Sequence, residues 1–249
     1  GTSGDLYCAV NVGTAAGAAI SAAGVLTTRT WMHLAATLSP GAAGATTGTL
    51  TLYVNGVSRA SGPCPVPRSV TRTSSFIGKS SGAGDALLKG RLVEVRLWNF
   101  ARAQDELLAG LRAPLSGEEP GLVAYYRLNE SGETVAHDAS PSRLHAQLAD
   151  GLRWGQPLST AFLTHAPPAQ ALLLDGRSGY VALPPLDERG RLEAVMDLER
   201  FLGKPAQGRV GALPAERPHD EVGVDGAQPV QAHRAVGVDL DGAEVDVLV

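Results

Sequence analysis

Leu92-Val93-Glu94-Val95-Arg96-Leu97-Trp98 alternates apolar and charged residues, which predicts Val93, Val95 and Leu97 facing inward and Glu94 and Arg96 outward. Successive side chains of an extended chain point to opposite faces, so a period of two marks a half-buried strand. The period recurs across residues 31–38, where Met32, Leu34, Ala36 and Leu38 share a face. Leu50-Thr51-Leu52-Tyr53-Val54 alternates into Asn55-Gly56, a dipeptide that tolerates positive φ twice and predicts a tight hairpin. Further strands are expected over 75–78, 122–128, 171–174 and 180–183. One helix interrupts, near 103–111, with Asp105 and Glu106 in its first turn and Pro114 beyond its end. The fold class is therefore all-β, an antiparallel β-sandwich carrying one short surface helix.

Composition narrows the function classes. The 249 residues carry 18% charged side chains and a net charge of −4, too apolar and too evenly charged for a disordered chain or a coiled coil. No basic excess exists to neutralise phosphates, which argues against nucleic acid as a partner. The most apolar-looking stretch, residues 15–26, is a dozen mostly Ala and Gly residues, too short and too weakly hydrophobic for a membrane span. Gly1 opens directly into polar turn residues, without initiator Met or signal peptide, so the chain reads as part of something longer. Arg outnumbers Lys 18 to 3, which suggests a GC-rich coding sequence. Cys8 and Cys64 allow one disulfide in an oxidising compartment, or two buried thiols.

Enzyme motifs fail on context. Gly78-Lys79-Ser80-Ser81-Gly82 has the spacing of a nucleophile elbow but leads into a Gly/Ser loop instead of a helix. A phosphate loop would need glycine where Thr73 stands. Asp239-Leu240-Asp241-Gly242 lacks calcium ligands at its first and twelfth positions, Gly237 and Leu248. The six histidines form no pair at metal spacing, and His33, alternating with Trp31 on a strand, reads as structural. No two carboxylates sit on expected strands as glycoside hydrolysis requires. The chain reads as a non-enzyme.

Four blocks in order, Trp31-Met32-His33-Leu34-Ala35-Ala36-Thr37, Leu50 through Gly56, Ile77-Gly78 and Gly90 through Arg102, resemble the second half of a laminin-G-like, concanavalin A-like jelly roll. Ala103 stands where the family's helix carries a Ser or Thr cap. A second stretch, from Glu119-Pro120-Gly121-Leu122-Val123-Ala124-Tyr125-Tyr126 to Asp175-Gly176-Arg177-Ser178-Gly179-Tyr180-Val181, resembles the opening strands of the same family. The resemblance divides the chain into 1–115, the end of one repeat, 119–186, the start of the next, and a tail, 187–249. The tail holds only one of the twelve aromatics, Phe201, and lacks the family's Trp-containing strand. It reads as foreign to the family and poorly ordered, with a possible helix at 192–202 and a frameshift as one origin.

That resemblance implies a binding or adhesion module, secreted or at the cell surface within a larger protein. It would engage glycans or a protein through loops at the sandwich rim, beside neighbouring laminin-G-like repeats. The alternatives are an accessory domain of a larger secreted hydrolase, or a purely structural spacer. The family often carries one Ca2+, for which Asp138 and Asp175 are the loop residues in position; both are also ordinary turn formers. Tyr125 and Tyr53 are candidate sugar platforms if they face outward. Asn129-Glu130-Ser131 is a glycosylation sequon. Finally, 1–115 and 119–186 are expected to close into one permuted sandwich, with Val93, Val95 and Leu97 against Leu122, Ala124 and Tyr126 or Leu172 and Leu174. The central strand pair this leaves missing could come from 236–240 or 244–249.

Overall fold

The computed structural model describes residues 3–12, 15–27, 31–67, 74–79, 87–112, 115–150, 152–155, 171–185, 235–240 and 243–248. In chain order these form β1 (Ser3–Val12), β2 (Ala15–Thr27), β3 (Leu34–Pro40), β4 (Thr47–Val54), β5 (Val57–Pro65), β6 (Ser75–Ile77), β7 (Lys89–Leu92) and β8 (Val95–Trp98). Helix α1 (Gln104–Arg112) follows, then β9 (Leu122–Tyr126), β10 (Val135–Ala136), β11 (Ala146–Leu148), β12 (Arg153–Gly155), β13 (Ala171–Asp175), β14 (Val181–Leu183), β15 (Ala235–Leu240) and β16 (Ala243–Leu248). The expected all-β antiparallel architecture is present, with the helix within a residue of its expected place.

One layer is a single sheet ordered β10-β11-β14-β6-β15-β16-β1-β2; the other strands form the sheets β12-β13-β7, β3-β4-β5 and β8-β9. Between them lies one main core, which runs from Leu6, Met32, Leu34, Ala36 and Leu52 through Val95 and Leu97 to Ala124, Tyr126, Leu172, Leu174 and Val181. Strands on either side of residues 115–119 pair directly: Leu92 opposite Leu172, Val181 opposite Ile77 and Val95 opposite Tyr126. Neither stretch could bury its apolar face alone, so the two halves share one interior. In the large sheet β15 and β16 stand between β6 and β1, with Val238 opposite Ile77 and Val247 opposite Cys8. The expected helix at 192–202 lies outside the described residues.

The Asn55-Gly56 turn forms as its residue types dictate, with φ values of 52° and 72°. The stretch 92–98 differs from its expected phase. Glu94 adopts φ 59°, a left-handed conformation in the middle of the run, and divides it into β7 and β8. Leu92 and Val95 both enter the main core, whereas Val93 joins Trp31 and Ala171 in a separate cluster. Arg96, expected outside, is buried on the opposite face.

Candidate functional site

Strands β6 and β14 pair with Ala182 opposite Phe76. Their alternate residues Ile77 and Val181 enter the core, which turns Phe76 to the outer face of the sheet. There Phe76 meets Tyr180 edge to face, ring centroids 5.4 Å apart and planes at 89°, a favoured aromatic geometry. The Lys79 ammonium lies 4.7 Å from the Phe76 centroid and 4.4 Å from that of Tyr180, within cation–π range. All three side chains are half-buried. Gly78, at φ 84°, makes the turn before Lys79, and a Cβ there would fall 2.3 Å from Leu174 Cδ2. The result is a firm apolar platform with a cation at its centre.

The residues singled out in the sequence take other roles. Tyr125 and Tyr53 are buried and offer no outward ring; this corrects their candidacy as sugar platforms. Asp138 is also buried, and its carboxylate accepts four hydrogen bonds. Oδ1 takes the amides of Tyr125 and Ser140, both at 2.8 Å, while Oδ2 takes the Leu144 amide at 2.8 Å and the Ser140 hydroxyl at 2.9 Å. Asp175 is exposed and closes its own turn, accepting the amides of Arg177 at 2.8 Å and Ser178 at 3.1 Å. Burial would raise its pKa, but these amides and that of Gly179, with the Arg177 charge, outweigh it and hold the carboxyl below the usual range. Both expected calcium ligands are thus engaged by backbone donors. Among the described residues no group of three or more His, Cys, Asp or Glu gathers as a metal site. Cys8 and Cys64 are buried and no disulfide joins them; burial pushes the Cys64 thiol up to about 11.

Beneath helix α1 lies a second polar arrangement. Glu94 Oε2 pairs with the Arg96 guanidinium at 2.5 Å, and the Tyr125 hydroxyl donates to both Glu94 oxygens at 2.9 Å. Arg96 also donates to the Gly110 carbonyl of the helix at 3.3 Å. Burial, and then the Glu94 charge, push the Tyr125 phenol up to about 12. His33 sits nearby, its backbone tied to Asn55 by reciprocal bonds of 2.9 and 2.7 Å. Burial first, and the Arg96 charge second, lower the His33 pKa to about 3, so the ring is neutral. The Arg96 bond to Gly110 fastens the helix to the sheet, while both His33 ring nitrogens and Arg96 Nε lie buried without a hydrogen-bond partner.

Sequence reasoning passed over Phe76, Lys79 and Tyr180. Phe76 and Tyr180 are 104 positions apart and meet only because β14 pairs with β6; the only local sign was the strand reading of both segments. Residues 1–108 match the family model Laminin_G_3, described as the concanavalin A-like lectin/glucanases superfamily. No curated protein and no solved structure matches the chain.

Proposed function

We propose that the protein is a non-catalytic module that binds glycans on the Phe76–Tyr180–Lys79 platform, a reading supported by the match of residues 1–108 to the concanavalin A-like lectin/glucanases superfamily. The observation that carries this reading is the outward, edge-to-face ring pair held beside an ammonium. Apolar C–H faces of a sugar ring stack on aromatic carbon, and an ammonium with three donors can reach its hydroxyls. The rigid sheet beneath supplies the preorganisation that keeps the entropic cost of binding low. Glycoside hydrolysis, by contrast, needs two accessible carboxyls facing each other across the substrate. The carboxylates of Glu94 and Asp138 are instead held by Arg96, Tyr125, Ser140 and Leu144. A role outside the cell or at its surface fits such a module, and among the described residues no helix is long and apolar enough to cross a membrane.

A glycan array with the wild type, Phe76→Ala and Tyr180→Ala tests this. Binding is expected to weaken roughly five- to tenfold for each lost ring, from the ~1 kcal/mol that an aromatic contact contributes. A flat array from a folded wild type, or equal binding by both variants, would overturn the reading and favour a spacer role.

A further inference from the structure

The Asn55-Gly56 turn is also a reactive pair. The backbone nitrogen that follows an asparagine can attack its side-chain carbonyl carbon, and glycine, with no Cβ, hinders that attack least. The chain has four asparagines, and the other three precede Val12, Phe100 and Glu130. Asn55 is exposed, so water reaches it. The fold nevertheless holds the pair in a shape that the reaction does not use. Asn55 Oδ1 accepts the His33 amide at 2.9 Å, and the Asn55 amide donates to the His33 carbonyl at 2.7 Å. These bonds hold the side chain against the residue before β3, whereas attack needs Cγ to swing onto the Gly56 nitrogen. Both turn residues sit at positive φ, between the paired Val54 and Val57. Gly56 itself is buried beneath α1, where a Cβ would fall 2.4 Å from Leu108 Cδ2 and 3.2 Å from Leu111 Cδ1.

We propose that Asn55 is a deamidation site which the native fold keeps closed and which opens when this hairpin unfolds. The Gly56 nitrogen then bonds to Asn55 Cγ and loses its proton, the Cγ–Nδ2 bond breaks, and Nδ2 leaves as ammonia. The cyclic imide takes up one water and opens to aspartate or to isoaspartate, with no change of oxidation state. Aspartate keeps an oxygen for the His33 amide. Isoaspartate instead routes the main chain through Cβ and Cγ, which lengthens the turn by one atom. A two-residue turn sets the register of the strands it joins, and this one has no spare space under Leu108 and Leu111. A molecule that stays unfolded long enough to form isoaspartate is therefore barred from this structure. Unfolding becomes a one-way loss, and the turn sets the working lifetime of the module.

The test incubates the whole chain at mildly alkaline pH, folded in buffer or unfolded in urea. The peptide spanning Asn55 is followed by mass spectrometry, with the aspartate and isoaspartate products separated by chromatography. Loss of the Asn55 amide should be slower in the folded protein on the order of tenfold or more, because reaction waits for the hairpin to open. Leu108→Ala, which removes part of the cover over Gly56, should speed the loss in the folded protein. After urea is withdrawn, chains carrying isoaspartate should fail to regain the cooperative melt. Chains carrying aspartate, and the Asn55→Asp variant made directly, should melt as the wild type does. Equal rates of amide loss in folded and unfolded wild type sink the proposal. So does an isoaspartate chain that recovers the wild-type melt, since the turn would then tolerate the longer backbone.

Discussion

Asp138 ties the loop after β10 to β9 through one carboxylate, which holds Tyr125 on β9 and Ser140 and Leu144 in its own loop. In Asp138→Asn one oxygen becomes a donor that must face a donor. The Ser140 hydroxyl can rotate away, but the backbone amides cannot. The loss should be about 2–3 kcal/mol, seen as a lower urea midpoint at unchanged slope. His33 sets a pH dependence. Its pKa falls from 6.5 to about 3 on folding, so the unfolded chain binds the extra proton between those values. Its contribution is fully present above pH 6.5 and is lost as pH falls toward 3, at up to about 1.4 kcal/mol for each unit. In His33→Gln the decline in stability between pH 6.5 and 4 should therefore be shallower than in the wild type, measured by denaturant titration across that range. A wild-type slope in the variant would assign the decline to other groups. The sequence marked His33 as structural and Asp138 as a turn former or ligand; neither the depth of burial nor the four donors has any local signature.

At the scale of elements, helix α1 is half capped. Glu106 reaches back to accept the Ala103 amide at 2.8 Å, which is one half of a capping box whose other half needs a side-chain oxygen at position 103. Ala103→Ser supplies it and should stabilise by roughly 0.5–1 kcal/mol, with a higher melting temperature as the readout; an unchanged one would mean that the helix start is held by packing alone. Strands with large alternating residues were legible: β4 through Val54 and its turn at Asn55-Gly56, β9 at Leu122, Ala124 and Tyr126. β1 and β2 were not, because β2 is mostly Ala, Gly and Ser, whose side chains are too small to print an alternation. β10, β11 and β12 span two or three residues each, below the length at which a period can be read. Val95 and Leu97 enter the core as expected, but the phase before Glu94 was misread for a further reason. A left-handed conformation at a glutamate is rare, and nothing in Leu92-Val93-Glu94-Val95 announces it.

For the whole molecule, one core joined by both sides of residues 115–119 predicts that the chain cannot be divided there without loss. Separate polypeptides 1–113 and 114–249 should each lack a cooperative melt, and mixing them should restore one. A cooperative melt from 1–113 alone would show that this part completes its own interior. The resemblance of residues 1–108 to a family was legible because its motifs are local; the platform was not, since it is assembled by the pairing of β14 with β6, about 100 positions earlier. The left-handed Glu94 has a last consequence for the outer surfaces. On its near side the odd-numbered Arg91 alternates with the core residue Leu92 and faces outward, and on its far side the even-numbered Arg96 lies under the helix. Glu94 is a phase break, so the register of Leu92 on Leu172 and that of Val95 on Tyr126 are set independently. A substitution that shifts the β7 half therefore leaves the helix-bearing half in register, which makes the two outer surfaces separately adjustable within one continuous stretch of chain.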